Sequence, residues 1–100
     1  MPTTLIDYYK AIEDGSLRML EAAKLSDWDE VVRYEGVCAV LIERLRHQFH
    51  QHKLAPQQRR EKTRIMMRIL ENDAQLRILA EPWLAQFDHL AVSGQPQFIH

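Results

Sequence analysis

Between Arg64 and Ala91 apolar residues recur in steps of three, four and seven, at Met66, Ile69, Leu76, Ala80, Trp83, Phe87 and Leu90. That spacing lines one face of an α-helix and fits no strand. A second apolar line, Met67, Leu70, Ala74 and Ile78, runs beside the first and ends before Pro82. From Ile65 to Leu70 the helix is therefore apolar almost all round. A small domain rarely needs that much apolar surface on one helix for its own core. The surplus points to a partner or to a second copy of the chain, with the other helices arranged around this one.

One hundred residues suffice for one domain with a core that needs no staple. Hydrophobic residues make up 46% and charged residues 27%, the balance of a folded globular chain. A net charge of −1 gives no general electrostatic drive toward nucleic acid or acidic lipid. The single cysteine, Cys38, excludes an internal disulfide and a thiolate zinc site, and its apolar neighbourhood suits a buried, inert thiol. The first residues lack the basic start and apolar core of a secretory signal. No apolar run approaches the ~20 residues that span a bilayer. The expectation is a cytoplasmic protein without membrane insertion. Few glycines and prolines and no alternating pattern make the fold class all-α.

Helices are expected at about 4–24, 27–50, 58–80 and 82–92, with a loose tail over 93–100. Thr4 and Asp7 suit the start of the first helix, whose stripe is Leu5, Tyr9, Ile12, Met19 and Ala23. Gly15 costs about 1 kcal/mol against Ala and marks a bend or a break. Ser26 caps the second helix, Asp27 and Asp29 fill its first turn, and Leu25 with Trp28 braces the corner. Val31, Tyr34, Cys38, Leu41 and Leu45 form the seam of that helix. Residues 50–58 read as a loop, and Pro82 as a kink or short break in the third helix. The architecture is an antiparallel three-helix bundle with a long third helix kinked or broken near Pro82.

Four groups of residues bear on chemistry. His47, His50 and His52 cluster at a helix end without a third ligand of matched spacing, so no metal or cofactor is expected. Ser16, Glu35 and Asp73 fall at one height in the bundle, beside Asn72. They suit either a carboxylate pair or a polar layer that fixes register, with the acids turned toward Arg18, Arg33 or Arg77. A small all-α mutase-like enzyme would need convergent arginines and a lysine there, and the spacing does not assemble them. The run Arg59, Arg60, Lys62, Arg64 and Arg68 is interrupted by Glu61, which suits a solvated face or a partner-facing patch better than a nucleic-acid reader. Met66 and Met67, flexible and polarizable, suit a surface that moulds to an incoming helix.

Two segments, LEAAKLSDWDEVVRYEGVCAVLIERL (20–45) and ILENDAQLRILAEPWLAQF (69–87), resemble the FliT family of flagellar export chaperones in the order and spacing of short apolar motifs. The resemblance implies a non-enzymatic type III export chaperone that binds the C-terminal region of the filament-cap protein FliD. It prevents premature assembly and delivers the cargo to the export ATPase complex and export gate. Some members also restrain the flagellar master regulator through its FlhC subunit. The alternative within export is a chaperone for hook–filament junction proteins. Better-known members carry a further C-terminal helix, for which the residues after 92 are too few. The surplus apolar surface fits a groove between the second and third helices, lined by Val37, Val40, Leu41, Met66, Met67, Leu70, Ala74 and Ile78. A homodimer over the same residues is also compatible with this pattern.

Overall fold

The computed structural model describes residues 4–49 and 53–94, with side chains described as far as Pro82. It holds α1 (Leu5–Lys24), α2 (Trp28–Phe49) and α3 (Pro56–Gly94), and no strand among the described residues. The all-α bundle expected from the pattern is the observed fold. Its organisation differs in one respect: the central helix is α1, not α3. Of the eleven buried apolar residues, eight lie on α1, two on α2 and one on α3.

The reason lies in the side chains of α1. A helix packed on one side shows one apolar stripe, whereas a helix between two others is buried on two flanks. Neighbouring residues of α1 are buried in pairs, Leu5 with Ile6, Met19 with Leu20, Ala22 with Ala23. Gly15, Ser16, Ala22 and Ala23 are small enough for both neighbours to come close. α2 and α3 each run along α1, and no Cα of one comes within 8 Å of a Cα of the other among the described residues.

Thr4 starts α1. Its hydroxyl accepts from the Asp7 N–H at 3.1 Å, and the Asp7 carboxylate accepts from the Thr4 N–H at 3.3 Å, a reciprocal capping box. The helix then runs unbroken through Gly15. Gly15 serves packing instead of bending the chain. A Cβ there would lie 2.7 Å from the Cys38 Sγ, so the missing side chain is what lets α2 approach.

At the corner the Ser26 N–H donates to the Ala23 carbonyl and the Asp27 N–H to the Ala22 carbonyl, both at 2.9 Å. This is a Schellman closure with Ser26 in the left-handed position, φ 58°, where glycine is the usual occupant. Ser26 ends α1, and the cap of α2 falls to Asp27, whose carboxylate accepts from the Glu30 N–H at 3.3 Å. Leu25 is 81% exposed, so it does not brace the corner, while Trp28 packs on the core.

Pro56 opens α3, two residues earlier than the loop reading allowed. At the first helical position its missing N–H has no intrahelical acceptor to serve. The Gln58 side chain accepts from the Ala55 N–H at 3.0 Å. α3 also continues through Pro82 to Gly94, so the expected break does not occur. Pro82 is exposed, where water can hydrate the Ile78 carbonyl that a normal N–H would have met. The tail over 95–100 lies outside the described residues.

Two substitutions test this account. Ser26→Gly relieves the left-handed backbone and is expected to raise stability by about 0.5–1 kcal/mol, read as a higher urea midpoint. An unchanged midpoint would show that Ser26 carries no strain. Gly15→Ala gains about 1 kcal/mol of helix propensity but loses about 1–3 kcal/mol by overpacking against Cys38, so net destabilisation is expected. Adding Cys38→Ala to Gly15→Ala should recover part of the loss. Thermal unfolding of the four proteins measures the coupling, and strict additivity would show that the two positions do not meet.

Candidate partner-binding groove

Because α2 and α3 flank α1 without meeting, an open trough remains between them with α1 as its floor. Tyr9 and Ile12 form that floor. Ile42, Leu45 and Arg46 form the α2 wall, and Met66 and Ile69 the α3 wall, around a cavity of about 330 Å³. Ile12, Leu45 and Ile69 also belong to the core or pack against it, so the trough is continuous with the interior. Its lining is apolar apart from Arg46 and the Tyr9 hydroxyl. Such a cleft holds an apolar side chain or two of a docked helix and offers nothing that could act as a nucleophile.

From the Met66 lip the apolar surface continues around the outside of α3. Met67 is 57% exposed, Leu70 56% and Ile78 69%, with Ala74 exposed between them. The buried side of α3 carries Ile65, Asn72 and the half-buried Ile69 and Leu76. The second apolar line therefore faces away from α1 and packs on nothing in the described chain. Of the residues singled out from the sequence, Met66 lines the trough and Leu70 adjoins it one turn on. Val37 and Val40 are exposed and Leu41 is half-buried against the core. These three fall on the opposite flank of α2 from Ile42 and Arg46, because a step of one residue turns a helix by about 100°.

The trough residues absent from the sequence reading are Tyr9, Ile12, Ile42, Leu45, Arg46 and Ile69. A signal for Ile42 existed: it sits four residues beyond Cys38 and three before Leu45, on the edge of the seam. The floor could not be found that way, since Tyr9 and Ile12 read as ordinary core until α1 is known to lie between the other two helices.

The polar groups are arranged to hold the helices and not to react. Asn72 donates to the Ser16 hydroxyl at 3.0 Å, and Ser16 donates to the Glu13 carbonyl at 2.8 Å. Both side chains are buried, so this bond sets the register of α3 on α1. The polar layer expected around Ser16 thus exists, with Asn72 in it and without Glu35, which is exposed. Asp73 is paired with Arg77 at 3.0 Å, Arg18 with Asp14 at 3.0 Å and Arg33 with Glu30 at 2.7 Å. Hydrogen bonding to Glu30 raises the Arg33 guanidinium, and the same bond lowers the Glu30 carboxyl. The arginines are therefore engaged by acids of their own helices and do not converge. Burial, and then the Asp14 charge, pushes the Cys38 thiol above its ordinary value, which suits an inert packing residue. His47 approaches Glu43 at 3.1 Å, while His50 and His52 lie outside the described residues. Among the described residues no group of three metal-ligating side chains comes together, and no helix is long and apolar enough to cross a membrane.

Residues 6–97 match the family described as flagellar protein FliT. The chain belongs to the FliT family. The crystal structure of flagellar protein FliT from Bordetella bronchiseptica is similar, with a TM-score of 0.74 and 38% identity over 87% of this chain and 99% of that one. A comparison with curated proteins gives no match. FliT proteins are a flagellar chaperone family and not an enzyme family, so the apolar trough, and not a reactive cluster, is the surface on which function is to be sought. Partners of this FliT-family chain are flagellar proteins.

Proposed function

We propose that this chain is a cytoplasmic export chaperone that holds the C-terminal region of the filament-cap protein FliD, keeps it from assembling early and delivers it to the export apparatus. The observation that carries the reading is the separation of α2 from α3, which leaves an apolar trough floored by Tyr9 and Ile12 and lipped by Met66. A cargo segment that folds into an amphipathic helix as it binds would place two or three apolar side chains in that trough. Met67, Leu70, Ala74 and Ile78 extend the contact over the outside of α3. Val37, Val40 and Leu41 supply a second apolar strip on the far flank of α2. Covering these residues offsets the ordering entropy of the cargo and removes from water the surface through which it would otherwise self-assemble. Contacts with the export ATPase complex, the export gate and FlhC belong to the same proposal through the family likeness alone.

Co-purification with the cap protein, intact and lacking its C-terminal region, tests the assignment. Capture of the intact form alone is expected, and equal recovery of both would reject it. Leu70→Asp or Met67→Asp puts a charge on the proposed contact at a site more than half exposed. Capture should weaken by about 2 kcal/mol or more, roughly thirtyfold, with helicity unchanged by circular dichroism. Retained capture would remove the α3 stripe from the interface.

A further inference from the structure

The trough is not electrically uniform along its length. α2 and α3 run in opposite directions across it, so moving one turn from Ile42 to Arg46 on one wall corresponds to moving one turn from Met66 to Lys62 on the other. Arg46 lines the trough directly. The Lys62 ammonium lies 5.4 Å from the ring centroid of Tyr9, which is the trough floor. Arg59, on the same side of α3 and one turn further out, lines a surface hollow with Lys53, Leu54 and Lys62. None of Arg46, Lys62 or Arg59 is paired with an acid among the described residues, although five other basic residues are. Glu61 does not neutralise this end, because its carboxylate is directed to Lys10 at 3.6 Å and Arg64 at 3.7 Å.

Two turns away in the other direction, the corresponding positions are Glu35 on α2 and Asp73 on α3. Asp73 is engaged by Arg77, and Glu35 is exposed. The trough therefore runs from an acidic end, through an apolar middle, to a basic end whose cations are unpaired.

We propose that Arg46 and Lys62 form an anion-reading clamp at one end of the trough, whose occupant is an amphipathic helix with a carboxylate one turn beyond the apolar side chain seated between Ile42 and Met66. This inference rests on the helix-in-groove reading of the function and adds to it the charge and placement of the bound segment. Apolar contacts alone let a helix slide by a turn or bind end for end, since one oily side chain resembles the next. A carboxylate met by a guanidinium and an ammonium at one end removes both freedoms. An acid placed at the Glu35–Asp73 end is repelled, so the two ends discriminate in the same sense.

The test uses the full chain and a peptide from the C-terminal region of the cap protein, with binding followed by fluorescence anisotropy. Wild-type affinity is expected to fall as salt is raised, and Arg46→Glu with Lys62→Glu is expected to weaken binding by about tenfold or more at low salt while losing that salt dependence. Arg46→Ala with Lys62→Ala should give an intermediate loss, and circular dichroism should show unchanged helicity in both. Replacing one Asp or Glu of the peptide by Lys should restore binding to the reversed variant. A wild-type chain that binds the peptide no better than the reversed variant, or binds independently of salt, overturns the clamp while leaving the groove reading intact. Failure of the wild type to bind the peptide overturns that reading and the clamp together. Self-association that responds to the same charge reversals would identify the occupant as a second copy and overturn the proposal.

Discussion

The close packing of α1 against both of its neighbours is the condition on which the remaining structure depends. Gly15 gives up a side chain so that the Cys38 sulfur can sit against the helix, with the thiol directed to the Ile12 carbonyl at 3.9 Å. On the other flank, the Ser16–Asn72 bond fixes α3 at one height. In a compact three-helix bundle each helix touches the other two and the core closes on itself. Here one helix has two partners and the other two have one, so the interior is open along one edge. The trough is the direct consequence of that arrangement. It requires no special loop or cofactor, only a central helix with small residues on both flanks.

Much of this fold is legible in the residues. Thr4 and Asp7 mark a helix start that forms as a capping box, because the requirement is local and spans three residues. The α2 seam of Val31, Tyr34, Cys38, Leu41 and Leu45 is the side that faces α1, since period alone decides it. Failures occur where a local rule meets a tertiary one. Gly15 is unfavourable for a helix in isolation, and only the presence of Cys38 opposite makes it favourable. Ser26 is a good cap by composition, but the left-handed backbone that the Schellman closure demands moves the cap to Asp27. Pro82 disrupts a helix by rule, yet at an exposed position the cost was not enough to end α3.

The site was less legible than the fold, for a related reason. Counting exposed apolar residues on α3 finds Met66, Met67, Leu70, Ala74 and Ile78, because surplus shows as a second stripe. It cannot say which flank of α2 faces the gap. That depends on where α1 lies, and α1 was read as a helix with one stripe when it has two buried flanks. Pairs such as Met19–Leu20 and Ala22–Ala23, adjacent in sequence and both buried, are the trace of that double burial.

A trough whose walls touch only the floor has a mechanical property that a closed bundle lacks. Rotation or sliding of α2 on α1 does not disturb the α1–α3 contact, and the reverse also holds, since no backbone contact ties the walls together. The walls are unequal in what anchors them. α3 carries the directional Ser16–Asn72 bond, which resists sliding, whereas α2 is held by the smooth apposition of Cys38, Val31 and their apolar neighbours on Gly15 and the alanines. Adjustment to cargo of different bulk therefore falls first on α2, and on the unbranched Met66 side chain at the lip. Such compliance suits a chaperone that must grip a chain strongly enough to cover it and loosely enough to give it up.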